Sequence, residues 1–121
     1  MKRVRIILIA LFFLGISACI FLKEDARLVN QGYNSLVNGN VGEAEQQFKA
    51  AFEVNPDNPY AMLNLGVIYA RTGREELARA MYRKVIENDA SDSTYPARVG
   101  EDDMKGETLK KIAESNLGRL N

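Results

Sequence analysis

Residues 28–56, LVNQGYNSLVNGNVGEAEQQFKAAFEVNP, and residues 62–90, MLNLGVIYARTGREELARAMYRKVIENDA, superimpose at a shift of 34 positions. Gly32, Ala44, Phe48, Ala51 and Pro56 recur as Gly66, Ala78, Tyr82, Val85 and Ala90, and Leu28 answers to Met62. Small residues and aromatics returning at that period mark a stacked supersecondary unit. Within each unit the apolar spacing is helical, as in Leu65, Ile68 and Tyr69, or Leu77, Met81, Val85 and Ile86.

Start and stop signals divide each unit into two helices. Asn38-Gly39 and Thr72-Gly73 end the first helix of each pair, glycine supplying the left-handed conformation that a helix C-terminus uses. Asn55-Pro56-Asp57 breaks the chain between units. Asn58 is placed to cap the third helix, with Pro59 in its first turn, where a missing N–H costs nothing. The expected helices are Asp25–Val37, Val41–Val54, Pro59–Arg71 and Arg74–Asn88. Gly32 and Gly66 let paired helices approach, with Ala44 and Ala78 facing them, and Phe48 and Tyr82 are expected to fill the gap between units. One position breaks the echo: Ser35 stands where the second copy has Tyr69.

These residues resemble the tetratricopeptide repeat, a helix–turn–helix unit. The resemblance implies an all-α short solenoid with units at 25–58 and 59–92, a scaffold that binds proteins and carries no chemistry of its own. Two units are few for a stack, since each buries its faces only against neighbours. A polar linker over 93–107 leads to a final segment, 108–121, whose Leu109, Ile112, Ala113 and Leu117 fall on one stripe. It is read as a helix capping the second unit; a helix that detaches to bind a partner is the other option.

By repeat position, the inner surface would carry Ala26, Val29, Tyr33, Leu36 and Val37, then Tyr60, Leu63, Val67, Ala70 and Arg71. Some family members grip a partner's terminal carboxylate with lysines and asparagines there. This chain has Val29, Tyr33, Leu63 and Val67 instead, so that clamp is not inferred. The candidate partner-binding groove is Val29, Tyr33, Leu36, Tyr60, Leu63, Val67 and Arg71, suited to an apolar helix or extended segment. The chain's own linker or tail could fill it instead, or a second copy of the chain.

The leading segment reads separately. Lys2, Arg3 and Arg5 precede an uncharged apolar run, Ile6 to Leu22, and Lys23-Glu24-Asp25 restore polarity. That is the layout of a secretory signal. Ile16-Ser17-Ala18-Cys19 resembles the bacterial lipobox, which implies cleavage after Ala18 and acylation of Cys19. Several acyl chains at about 0.8 kcal/mol per buried methylene make a lasting anchor. The alternatives are an uncleaved anchor over 6–22, in which Ile20-Phe21-Leu22 continue the apolar run, or simple cleavage. In each case the basic start stays in the cytoplasm and the body lies on the extracytoplasmic side of a bacterial envelope.

Composition excludes more than it specifies. The chain has 121 residues, enough for one domain, 16 basic and 16 acidic side chains, one cysteine and no histidine. Removing the three leading cations from a net charge of zero leaves a body at −3, with no basic stripe for nucleic acid. Without histidine, the common catalytic triads and most zinc sites are unavailable. Gly39 and Gly42 lack the lysine and hydroxyl of a phosphate loop, and Asp102-Asp103 read as solubility or capping residues. No catalytic residue, metal, cofactor or small-molecule substrate is expected. The expected role is a membrane-tethered adaptor that binds another protein, in assembly of an envelope complex such as a pilus or secretion system. The alternative is a small accessory subunit of a larger membrane enzyme or transport complex.

Overall fold

The computed structural model describes residues 24–88 and 107–120, and among them every regular element is a helix. Helix α1 covers 24–37. It is followed by α2 (Val41–Val54), α3 (Pro59–Arg71), α4 (Glu75–Glu87) and α5 (Leu109–Gly118). The leading segment with Cys19, residues 89–92 of the second unit and most of the 93–107 linker lie outside the described residues.

The two hairpin turns are built alike. Gly39 and Gly73 take φ of 79° and 75°, the left-handed region that only glycine enters without strain. The next residue then reaches back five positions: Asn40 N donates to Ser35 O at 2.8 Å, and Arg74 N to Tyr69 O at 2.8 Å. Gly39 N and Gly73 N donate to Leu36 O and Ala70 O. This pair of bonds is the Schellman arrangement, which satisfies carbonyls that a helix end leaves orphaned. In the second turn Thr72 Oγ1 adds a bond to Ile68 O at 2.8 Å.

Helix starts differ. Asn58 Oδ1 accepts from Tyr60 N and Ala61 N, both at 3.0 Å, with Pro59 beside it as expected. Thr108 Oγ1 caps α5 by accepting from Lys111 N. No side chain caps α2 or α4; the tight turns before them position their first residues instead.

Packing follows the repeat. Successive helices stack, α2 on α3 and α3 on α4, and α5 closes the array against α4 and α3. The core takes Ala44, Phe48 and Ala51 from α2, and the corresponding Ala78, Tyr82 and Val85 from α4. Leu109, Ile112 and Ala113 of α5 join it, so the tail helix is a cap in the structural sense. Each large aliphatic or aromatic side chain so buried contributes about 1.5–3 kcal/mol. Without α5, Tyr82 and Val85 would lose one wall of that core.

The aromatic pair works differently from the expectation above. Phe48 and Tyr82 press on the glycines of their own units: a β-carbon on Gly32 would stand 2.9 Å from Phe48 Cε1, and one on Gly66 2.5 Å from Tyr82 Cε1. The glycines therefore make room for a ring within the hairpin, rather than for bare contact between helices. The broken echo at Ser35 is also resolved. Its hydroxyl, buried, donates to Gln47 Oε1 at 2.9 Å, so a polar tie between α1 and α2 stands where the second unit places an aromatic ring.

Candidate functional site

Of the proposed groove residues, Val29, Tyr33 and Leu63 belong to the buried core. Leu36, Tyr60 and Val67 are half-buried, and Arg71 is exposed. Ala26 and Val37 of the inner face are exposed as well, Val37 by 57%. On α3 the accessible positions are Tyr60, Val67, Ala70 and Arg71, the last three in its C-terminal half.

There a cleft of about 270 Å³ opens between α3 and α5. Leu63, Val67 and Ala70 form one wall, Ile112 and Leu120 the other, and Tyr82 of α4 forms the floor. Sequence reasoning found Leu63, Val67 and Arg71 but missed the α5 wall, because the tail was read as cover rather than as lining.

The cleft has a polar fringe of one sign. Arg71 and Arg119 both line it, with Asn64 and Asn116, and among the described residues no acidic side chain does. Arg71 sits in the last turn of α3 and Arg119 is the C-cap of α5. A cation at a helix carboxyl end gains about 0.3–1 kcal/mol from the helix dipole. Neither guanidinium has a carboxylate partner among the described residues. Asn64 is nine-tenths buried; its Nδ2 donates to Tyr60 O at 2.8 Å, while its Oδ1 has no partner among the described residues. Burial pushes the Tyr82 phenol up to about 12; the Asn116 hydrogen bond and the Arg119 charge pull the other way. The floor is thus neutral at any physiological pH.

Other polar clusters serve the fold. Asp25, 4% exposed, accepts from Asn55 Nδ2 at 2.7 Å and Asn58 Nδ2 at 2.8 Å, joining the start of α1 to the turn between units. Glu45 on α2 takes a bidentate bond from Arg74 (2.9 and 2.7 Å) and an ion pair from Lys49 at 2.6 Å. The Arg74 guanidinium also lies over the Tyr69 ring at 4.7 Å. Among the described residues no group of three or more histidine, cysteine or acidic side chains is placed to hold a metal. Also among them, no helix is long and apolar enough to cross a membrane.

A family model described as Tetratricopeptide repeat matches residues 29–93, more than half of the chain. The chain belongs to the tetratricopeptide repeat family. Tetratricopeptide repeat protein 7A of Homo sapiens is 33% identical over 75 residues, which cover 62% of this chain and 9% of that protein. The chain thus spans under a tenth of that relative's length. No solved structure gives a significant match. Tetratricopeptide repeats are in general non-catalytic scaffolds that bind protein partners, and the paired hairpins and glycine–aromatic contacts described above are the form the repeat takes in this chain.

Proposed function

We propose that this protein is a tethered tetratricopeptide repeat adaptor that binds another protein through its inner face. The observation that carries it is the α3/α5 cleft: buried and half-buried apolar side chains beside two arginines that have no ion-pair partner among the described residues, in a family whose members work as binding scaffolds. The tether is Cys19, acylated after cleavage behind Ala18, or the uncleaved run 6–22. Either places the repeats on the extracytoplasmic side of a bacterial envelope. Assembly of an envelope complex such as a pilus or secretion system suits a small anchored scaffold, an argument from fold and address rather than from residues.

Crosslinking and mass spectrometry in the native envelope tests the binding role. Ala26→Glu with Tyr60→Ser alters the inner face at exposed and half-buried positions, whereas Tyr33 and Leu63 are core residues whose replacement would strike the fold. Loss of one crosslinked protein, with helicity kept, supports the adaptor. Absence of any crosslinked protein from the wild type removes it. Fatty-acid labelling tests the tether: label that Cys19→Ser abolishes identifies a lipoprotein, and no label on the wild type leaves the uncleaved anchor or simple cleavage, which the size of the mature chain separates.

One observation favours the accessory-subunit reading. Leu77, on the outer helix α4, is 48% exposed, an apolar side chain on the face an accessory subunit would use. If Leu77→Asp removes the crosslinked protein and the inner-face pair does not, the accessory reading replaces the adaptor.

A further inference from the structure

We infer that the α3/α5 cleft is the adaptor's specificity site, and that it takes a short peptide segment in which apolar side chains are flanked by aspartate or glutamate. This rests on the adaptor reading and names the chemistry of its partner.

Three features converge on that occupant. The first is charge: Arg71 and Arg119 line one small cleft, and among the described residues no acidic side chain lines it with them and neither has an ion-pair partner. A carboxylate entering this opening meets two cations. Arginine's planar fork also matches a carboxylate bidentately. The second is shape. At about 270 Å³ the cleft lies just below the ~300–1,000 Å³ typical of small-molecule pockets. Its Leu63, Val67 and Ile112 lining suits aliphatic side chains of a peptide. The third is Asn64, nine-tenths buried in that lining, whose Oδ1 has no partner among the described residues and would accept a peptide backbone N–H.

A fatty acid offers the same carboxylate-plus-apolar chemistry, but the cleft favours a peptide. A single acyl chain is held only marginally even when fully buried in a bilayer, and a cleft of this size, floored by Tyr82, covers only part of one. Leu63 and Val67, two of the positions at which some family members grip a terminal carboxylate, are apolar lining of this cleft, and its cations are Arg71 and Arg119 instead.

The test is selection of phage-displayed random linear peptides on the full-length chain in detergent, followed by binding of a synthetic consensus peptide. The expected consensus carries Asp or Glu beside Leu, Ile or Phe. Arg71→Gln and Arg119→Gln should each weaken that peptide about tenfold, or about 1.4 kcal/mol. Added salt should weaken wild-type binding. Both side chains are exposed, so unchanged thermal unfolding will show that the variants fold. A basic or uncharged consensus, an empty selection, or binding indifferent to both substitutions overturns the inference. So does a native mass spectrum in which the wild type carries a fatty acid that both glutamine variants lose. Peptides that ignore the arginines but are lost in the Ala26→Glu, Tyr60→Ser variant would leave the adaptor standing and remove only this site. The adaptor itself falls on the envelope crosslinking described above.

Discussion

Gly66 lies beneath the Tyr82 ring so closely that a β-carbon there would stand 2.5 Å from Cε1 and 2.8 Å from Cδ1. Tyr82 is 2% exposed, so moving the ring disturbs the core packed round it. Replacing a helical glycine by alanine normally gains about 0.8–1.0 kcal/mol, while overpacking costs about 1–3. With the β-carbon at so close an approach, Gly66→Ala should be net destabilising by up to about 2 kcal/mol, read as a lower urea midpoint. Gly32→Ala, with its closest approach at 2.9 Å to the end of the Phe48 ring, should cost less. A Gly66→Ala protein as stable as wild type would show that the ring gives way.

Asp25 should be intolerant of truncation. Asp25→Ala leaves the side-chain amides of Asn55 and Asn58 without their acceptor. A stranded buried donor costs about 1–3 kcal/mol. Chemical denaturation should show that loss, and Asp25→Asn should recover part of it. A neutral Asp25→Ala would mean that the turn between units rearranges freely.

Acid should weaken the tie between α2 and the turn that leads into α4. The Arg74 and Lys49 hydrogen bonds hold the Glu45 carboxyl down at about 2, from an ordinary 4.5. Because the folded value is depressed, the contribution is fully present above about pH 4.5 and is lost as pH falls toward 2. Arg74 and Lys49 are 37% and 49% exposed, so solvent screening limits it to about 1 kcal/mol. Glu45→Gln should be less stable at neutral pH by that amount and should flatten the stability profile between those limits. An unchanged profile would show that the trio contributes nothing.

At high pH the sign reverses for Tyr82. Burial raises its phenol to about 12 from 10, so its contribution is complete below about pH 10 and is lost as pH climbs to 12. Ultraviolet titration should find one late-ionising tyrosine that Tyr82→Phe removes. Ile112→Asp, which places a charge in the buried face of α5, should undock the cap and return that tyrosine toward 10. A late titration surviving Ile112→Asp would mean that α5 is not what covers the ring.

The repeat echo made the hairpins legible because their determinants are local. Gly39, Gly73, Asn58 and Pro59 act within a few residues of themselves, so their roles can be read in isolation. The cleft is another matter. Arg71 and Arg119 share it only because α5 folds back on α3, and no spacing along the chain signals that they meet. The Glu45–Arg74 pair spans 29 residues and was invisible for the same reason. Asp25 read as part of a charged boundary after the apolar run, since nothing local marks a carboxylate that will be buried. Ser35 looked like a loosened repeat position until Gln47, twelve residues on, supplied its partner.

The Asp25 carboxylate has a consequence for how this repeat can vary. It grips residues 30 and 33 positions downstream, at the two sides of one turn. Each residue added to or removed from the intervening helices rotates everything beyond it by about 100°, from 3.6 residues per turn. A residue inserted within α1 or α2 would therefore swing the two asparagines out of reach. The first unit is thus measured by a side chain, which constrains the length of its helices more tightly than that of its loops.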